Sequence, residues 1–136
     1  MSEQTRLYWA VGLGASLGSV ARYLCSLAVH QLLGAGLPWG TLTVNVLGSL
    51  IIGLYATLTE PDGRLLARPA TRQFVLTGFC GGFTTFSIFS LETLLLIQHG
   101  SYALGVANVL VSTCLWLLAV WVGHRIGVRL NRLKGG

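Results

Sequence analysis

Four long apolar stretches constrain the fold of this chain more than any other feature. They lie at about residues 7–33, 41–59, 74–98 and 102–124, and each is near or above the roughly 20 residues that a helix needs to cross a bilayer. The first stretch is expected to be retained as a span, because it is too long for the apolar region of a signal peptide. Only 10% of the 136 residues are charged, against about 25% in average globular domains. We therefore predict an all-α membrane protein with one transmembrane domain, residues 1–136, and no enzymatic activity.

Basic residues are concentrated on one side of this predicted bundle. Four spans place the N-terminus, the 60–73 loop and the C-terminal tail on the same side of the membrane. Eight of the nine Lys and Arg residues are on that side, namely Arg6, Arg64, Arg68, Arg72, Arg125, Arg129, Arg132 and Lys134. The short loops at 34–40 and 99–101 have none, so both termini are predicted to face the cytoplasm. This distribution favours contact with anionic membrane lipid and argues against a nucleic acid partner.

The third apolar stretch contains a segment that is poorly suited to a continuous helix. Gly81-Gly82 is followed by Thr84-Thr85, which combines high backbone entropy with β-branched stiffness and predicts a helix break. Within hydrocarbon, irregular backbone is tolerated only where it is buried in protein or lines a polar cavity. Freed carbonyl groups and half-helix ends can bind ions. The sequence therefore predicts a buried site at membrane depth.

Two aromatic residues follow the predicted break. Phe86 and Phe89 are three apart and share one helical face. Because an aromatic ring has a negative face and a positive edge, inward edges are suited to an anion and inward faces to a cation. Lipid contact or packing is the more common role of a Phe pair in a membrane helix.

Polar and small residues recur every four positions in two spans. They are Thr41, Asn45, Ser49 and Gly53 in the second span, and Asn108, Ser112 and Trp116 in the fourth. Interhelical packing accounts for most of such a pattern. Asn45 is the exception, because a buried amide with two donors and an acceptor requires a specific partner, either protein or ligand.

Two charged residues lie within the spans. Arg22 follows Gly14 and Gly18 at intervals of four, and it is expected either to face the bundle interior or to snorkel to an interface. Glu92 is the only acidic residue within a span. It is a candidate proton or cation site, although helix capping or pairing with Arg22 is an equally good interpretation.

Three motifs occur along the spans: Gly14-Ala15-x-x-Gly18-x-x-x-Arg22-Tyr23, Gly40-Thr41-Leu42-x-Val44-Asn45 and Thr77-Gly78-Phe79-Cys80-Gly81-Gly82-Phe83-Thr84-Thr85-Phe86-Ser87-x-Phe89-Ser90-x-Glu92. Together they resemble the Fluc (CrcB) family of fluoride channels. The similarity runs through all four spans, and the motifs fall in the family's order and spacing.

The resemblance implies a small passive channel that lets fluoride leave the cytoplasm across the bacterial inner membrane. It also implies an antiparallel dimer with two pores. The residues that it implies for the fluoride pore are Phe86, Phe89, Asn45, Ser87, Asn108 and Ser112. Arg22, Thr41 and Glu92 are candidates for a vestibule or structural role. The backbone carbonyls of Gly81 and Thr84 match those that hold a structural sodium ion at the dimer centre, where two chains supply four oxygens.

Two features depart from the family's pattern. Trp116 is bulky where the polar track of the fourth helix usually continues with a small or polar residue. The concentration of Lys and Arg on one side of the membrane is also unfavourable for inserting the same sequence in both orientations. The dimer is thus expected to be either a homodimer, or a heterodimer with an oppositely oriented homologue. A proton-coupled small multidrug exporter that uses Glu92, and a non-transporting membrane assembly factor, are the alternative functions.

Overall fold

The described residues, 2–34 and 36–132, form helices that cover all four apolar stretches of the computed structural model. The elements are α1 Glu3–Leu33, α2 Trp39–Leu58, α3 Pro69–Gln73, a π-helical segment Phe74–Phe79, α4 Cys80–Phe83, α5 Ser87–Gln98 and α6 Tyr102–Arg132. Four units are long and apolar enough to cross a membrane: Glu3–Leu33, Trp39–Leu58, Pro69–Gln98 and Tyr102–Arg132. This confirms the all-α class and the four predicted spans. Lys134 of the basic tail lies outside the described residues.

The long helices begin and end where local chemistry favours it. The Ser2 hydroxyl accepts a hydrogen bond from the Thr5 N–H at 3.2 Å and caps the start of α1. Gly34 and Gly100, which follow α1 and α5, have positive φ angles of 78° and 79°. Glycine adopts this backbone conformation without strain, so both positions permit the chain to leave a helix and turn.

The third span consists of several short helical segments. Pro69 occupies the first turn of α3, the π-helical segment follows, and α4 ends at Phe83. Gly81 and Gly82 remain helical, and the interruption comes just after them, at residues 84–86. Thr84 is extended, with φ −82° and ψ 161°, and α5 begins at Ser87. The interruption separates two half-helices within one apolar span.

Small residues let α1 pack closely against the first half of the third span. A methyl group on Gly14 would overlap the carbonyl oxygen of Phe74, and one on Gly18 would overlap that of Phe79. Gly14 and Gly18 are both buried. The two backbones therefore approach to a distance that no larger residue allows, which positions α4 and the interruption against α1.

Close glycine contacts also join α2 to α6, which have the most extensive contact of any helix pair in the described chain. A methyl group on Gly53 would overlap the carbonyl oxygen of Val120, and one on Gly123 would overlap that of Leu50. The contact fixes α6 relative to α2, and with it the polar residues that these two helices carry.

We expect Gly18→Ala to destabilise the protein by about 1–3 kcal/mol, because the added methyl group has to displace backbone rather than a flexible side chain. Thermal unfolding in detergent, followed by loss of the folded peak in size-exclusion chromatography, measures the effect. Gly12→Ala is the matched control, since it lies on the same helix and has no atom within 4 Å of the added carbon. Equal unfolding temperatures for the two variants would contradict the close α1 contact.

Candidate functional site

The Asn45 side chain pairs with the backbone at the helix interruption. Asn45 lies on α2 and is only 5% exposed. Its Nδ2 donates a hydrogen bond to the Thr85 carbonyl at 2.8 Å, and its Oδ1 accepts one from the Thr85 N–H at 2.7 Å. One amide thus satisfies both backbone groups of a residue that the interruption leaves without helical partners. The sequence predicted a specific partner for Asn45, and in the structure that partner is the Thr85 backbone. This pairing uses one of the two N–H donors of the Asn45 amide.

The Thr85 side chain stabilises the first turn of the second half-helix. Its Oγ1 accepts a hydrogen bond from the Ile88 N–H at 3.2 Å and lies 3.4 Å from the Ser87 hydroxyl. Sequence reasoning considered Thr85 only as a stiff residue at the break and missed its capping role. The signal was available, because a threonine three residues before a helical N–H is a common cap.

The two carbonyl groups predicted to bind a cation are freed from helical hydrogen bonding. In a continuous helix the Gly81 carbonyl would accept from the Thr85 N–H, which here donates to Asn45. The Thr84 carbonyl would likewise accept from the Ile88 N–H, which here donates to the Thr85 hydroxyl. The side-chain oxygens of Asn45 and Thr85 therefore accept the two N–H groups that would otherwise donate to the Gly81 and Thr84 carbonyls. No group of three or more His, Cys, Asp or Glu within residues 2–34 and 36–132 could hold a metal ion.

Arg22 is half-buried and lies beside the interruption. Its Nη1 donates to the Thr84 carbonyl at 3.3 Å. Glu92 accepts a hydrogen bond from the Thr41 hydroxyl at 2.9 Å through Oε1. Its other carboxylate oxygen is buried and has no partner among the described residues. Arg22, Thr41 and Glu92 line one cavity of about 480 Å³, and His30 and His99 line it as well.

Phe86 and Phe89 form an aromatic cluster with Trp116. The two Phe rings are 5.7 Å apart between centroids, and the edge contact between Phe89 and Trp116 has a centroid distance of 4.8 Å and an interplanar angle of 73°. Phe89 is 6% exposed, whereas Phe86 is 72% exposed on the single chain. The pair predicted from sequence is thus brought together, but one ring lies inside the bundle and the other at its surface.

The polar residues of α6 are hydrogen-bonded to α5. Asn108 donates to the Thr93 hydroxyl at 2.9 Å, and Thr93 donates to the Phe89 carbonyl at 2.8 Å. The buried Ser112 hydroxyl donates to the Asn108 Oδ1 at 3.3 Å. Thr93, which sequence reasoning missed, connects the predicted track to Phe89. Its position four residues after Phe89 was the available signal.

A cavity of about 230 Å³ lies beside the interruption. Its lining combines polar and aromatic side chains, namely Asn45, Ser49, Ile52, Thr84, Thr85, Phe86 and Trp116. Hydroxyl and amide groups next to aromatic rings, within an apolar bundle, are suited to holding a small ion that has lost part of its hydration. Asn45 and Phe86 share this cavity, but Asn108 and Ser112 line a separate, mostly apolar one of about 170 Å³.

Four apolar spans, of which the third is interrupted beside polar side chains, define a multi-pass helical membrane protein with a buried polar site. The chain belongs to the CrcB family, since residues 9–124 match the family described as CrcB-like protein, Camphor Resistance (CrcB). The resemblance drawn from the sequence motifs is confirmed.

Relatives in the same family carry a more specific name. The chain is 50% identical to "Fluoride-specific ion channel FluC 1" of Rhodopseudomonas palustris over 99% of this chain and 96% of the relative. It is 55% identical to "Fluoride-specific ion channel FluC 1" of Bradyrhizobium diazoefficiens, over 94% of this chain and 89% of the relative. It is 54% identical to "Fluoride-specific ion channel FluC" of Opitutus terrae, over 95% and 98%.

Proposed function

We propose that this protein is a passive, fluoride-selective channel that lets fluoride leave the cytoplasm and so lowers its toxicity. The observation that carries the proposal is the helix interruption, which Asn45 stabilises beside Phe86, in a chain whose relatives are named fluoride-specific ion channels. An exporter that uses Glu92 is not favoured, because the relatives are named as channels. The same names argue against an assembly factor. Passive permeation requires no covalent chemistry.

The proposed mechanism replaces the hydration of fluoride by groups of the protein. Asn45 and Ser49 line the cavity beside Phe86, and their remaining N–H and hydroxyl groups are the donors that we propose for an anion. The positive edges of Phe86 and Phe89 add weak attraction without a fixed opposite charge, which would hold the ion too tightly to release it. Ser87, Asn108 and Ser112 complete the proposed pore lining. The narrow aromatic surroundings exclude larger anions.

We propose a dimer of antiparallel chains with two pores as the functional unit. The Phe86 ring is 72% exposed although it belongs to the proposed site, so a single chain leaves that site open on one side. Gly81 is also exposed and has no atom within 4 Å of the place where a side chain would begin. A second copy, or an oppositely oriented homologue, would enclose both residues. We place the dimer in the bacterial inner membrane, with the basic loop and tail near anionic lipid.

The orientation of the chain decides between the two kinds of dimer. If the Lys and Arg bias governs insertion, Ser101→Cys in the far loop is labelled by a membrane-impermeant thiol reagent from outside the cell only. A cysteine-free background and Arg64→Cys, in the opposite loop, are the controls. Labelling from one side supports a heterodimer with a homologue, and labelling of Ser101→Cys from both sides supports a homodimer.

A structural sodium ion at the dimer centre is part of the proposal. The carbonyl oxygens of Gly81 and Thr84 fit such an ion in type, because they are hard ligands freed from helical hydrogen bonds. Two chains would supply four oxygens. Arg22 donates to the Thr84 carbonyl at 3.3 Å, so a cation would share this oxygen with the guanidinium or displace it.

Efflux from liposomes tests the proposed function. Purified protein is reconstituted in vesicles loaded with potassium fluoride or potassium chloride, and a selective electrode follows each anion after dilution. A passive channel releases fluoride rapidly only when valinomycin lets potassium follow, and it retains chloride. Fluoride release that does not need valinomycin would instead indicate proton-coupled transport. Absence of fluoride release from folded protein, with and without a co-reconstituted homologue, would refute the channel proposal.

A further inference from the structure

A cavity of about 240 Å³ lies in the loop between α2 and α3, outside the spans that carry the candidate channel site. We call it the loop pocket. Its lining consists of Thr59, Glu60, Pro61, Leu65, Leu66, Ala67 and Arg68. Because this loop joins the ends of two spans, the pocket lies at the level where lipid headgroups surround the helix ends.

Hydrogen bonds hold the loop in a fixed shape. The Leu65 N–H donates to the Leu58 carbonyl at 2.9 Å, so the loop folds back on the end of α2. Asn131 of α6 accepts from the Arg64 N–H at 2.8 Å through Oδ1, and its Nδ2 donates to the Thr57 carbonyl at 2.9 Å. The loop is therefore attached to both α2 and α6. The pocket is formed in advance, which lowers the entropy cost of binding a ligand.

Two guanidinium groups lie at the loop pocket. Arg68 is exposed and lines it, and the Arg68 guanidinium makes no hydrogen bond or ion pair with residues 2–34 and 36–132. The Arg72 Nε donates to the Thr59 hydroxyl at 3.2 Å, which holds the second guanidinium beside the pocket wall. Arginine presents a planar fork of donors that matches the oxygens of a phosphate group. The pair is thus suited to a phosphate ligand.

The loop also exposes apolar side chains beside these arginines. Leu66 is 88% exposed and Leu65 is 45% exposed, and both line the loop pocket. Large apolar side chains at the end of a span are covered where the loop touches the acyl chains of the bilayer. A ligand that combines a phosphate with hydrocarbon chains therefore fits both halves of the pocket.

The charge around the loop pocket favours an anionic headgroup. Three arginines lie between residues 59 and 72 against two acids, Glu60 and Asp62, and α6 adds three more arginines in its last eight described residues. We propose that the loop pocket binds the headgroup of an anionic phospholipid, with Arg68 and Arg72 at the phosphate and the exposed leucines against the acyl chains. Glu60 lines the pocket as well, and its carboxylate opposes an anion and limits the affinity. The inference requires only the membrane spans and does not depend on fluoride conduction.

Lipid titration followed by native mass spectrometry tests the site. Purified protein in detergent is titrated with dioleoyl-phosphatidylglycerol or dioleoyl-phosphatidylcholine, and the fraction with one bound lipid gives an apparent dissociation constant. Phosphatidylglycerol is expected to bind about tenfold more tightly. Arg68→Gln is expected to weaken that binding about tenfold, because it removes a charged donor to the phosphate. Equal binding of the two lipids to the unmodified protein overturns the inference.

Two further variants separate a built site from diffuse attraction. Arg125→Gln removes the same charge, but Arg125 lies over the Trp121 ring at 5.6 Å and does not line the pocket, so a loss of only about twofold is expected. Glu60→Gln is expected to tighten phosphatidylglycerol binding about threefold, because it removes the opposing charge. Equal weakening by Arg68→Gln and Arg125→Gln overturns the inference. Weaker binding in Glu60→Gln also overturns it, and would indicate a headgroup that carries an ammonium group.

Leu66→Asn tests the apolar half of the loop pocket without a large effect on folding, since the side chain is 88% exposed. Phosphatidylglycerol binding is expected to weaken about fivefold, because the contact with the acyl chains is reduced. Inorganic phosphate at millimolar concentration is expected not to displace the lipid. Unchanged binding in Leu66→Asn, together with displacement by inorganic phosphate, would identify a free-phosphate site and overturn the inference.

Discussion

Fluoride efflux is expected to fall by about a hundredfold or more in Phe86→Ile, which corresponds to a barrier increase of about 2.7 kcal/mol. Isoleucine has similar bulk but lacks the positive ring edge that the proposed mechanism uses. Because Phe86 is 72% exposed on the single chain, its replacement removes little packing within that chain. The liposome assay with valinomycin measures the efflux, and the fluoride-to-chloride ratio reports selectivity.

Phe89→Ile and Phe79→Ile complete this experiment. Phe89 is buried and packs edge to face on Trp116, so Phe89→Ile is expected to lower both efflux and thermal stability. Phe79 stacks on Phe83 in the first half of the span, away from the Phe86 pair, and Phe79→Ile is expected to conduct normally. Normal efflux in both Phe86→Ile and Phe89→Ile would remove the aromatic pair from the mechanism.

The second large effect is expected from Asn45→Leu. Leucine has nearly the same shape as asparagine, but it leaves the buried Thr85 N–H and carbonyl without partners. Each unsatisfied group costs about 1–3 kcal/mol, so we expect about 2–6 kcal/mol of destabilisation together with loss of fluoride efflux. Thermal unfolding in detergent and the liposome assay measure the two consequences.

Ser16→Ala is the matched control for loss of a polar group within a span. The Ser16 hydroxyl is exposed and donates only to the Gly12 carbonyl one turn earlier on α1. Its removal is expected to change neither stability nor efflux, since that carbonyl already has a helical partner. If Asn45→Leu were as stable as Ser16→Ala, the pairing of Asn45 with the interruption would not be what stabilises the extended backbone there.

Local sequence patterns predicted the parts of the site that depend on neighbours in the chain. The interruption follows the Gly81-Gly82 pair, and the Phe86 and Phe89 rings lie together, because backbone entropy, side-chain stiffness and helical spacing act over a few residues. The exact position was less predictable. Gly81 and Gly82 remain helical where α4 packs against α1, and the backbone becomes extended only at Thr84.

Partners that are distant in the chain could not be predicted in the same way. The sequence left open whether Arg22 faces the bundle interior or snorkels to an interface. It also left open whether Arg22 pairs with Glu92. In the structure Arg22 donates to the Thr84 carbonyl, and Glu92 accepts from Thr41. The choice depends on how α1 and α2 cross the third span, and residue spacing within one helix contains no information about that crossing.

The sequence by itself determined the class of protein, the number of spans and the family, because long apolar stretches and motif spacing are properties of the chain. Only the tertiary structure decided that Asn45 bonds to the Thr85 backbone. The Asn45 and Thr85 partners are 40 residues apart in the chain, and they meet where Gly48 of α2 packs closely against Thr84. The physical reason is that hydrogen-bond partners are chosen by distance in space, and helix packing sets that distance.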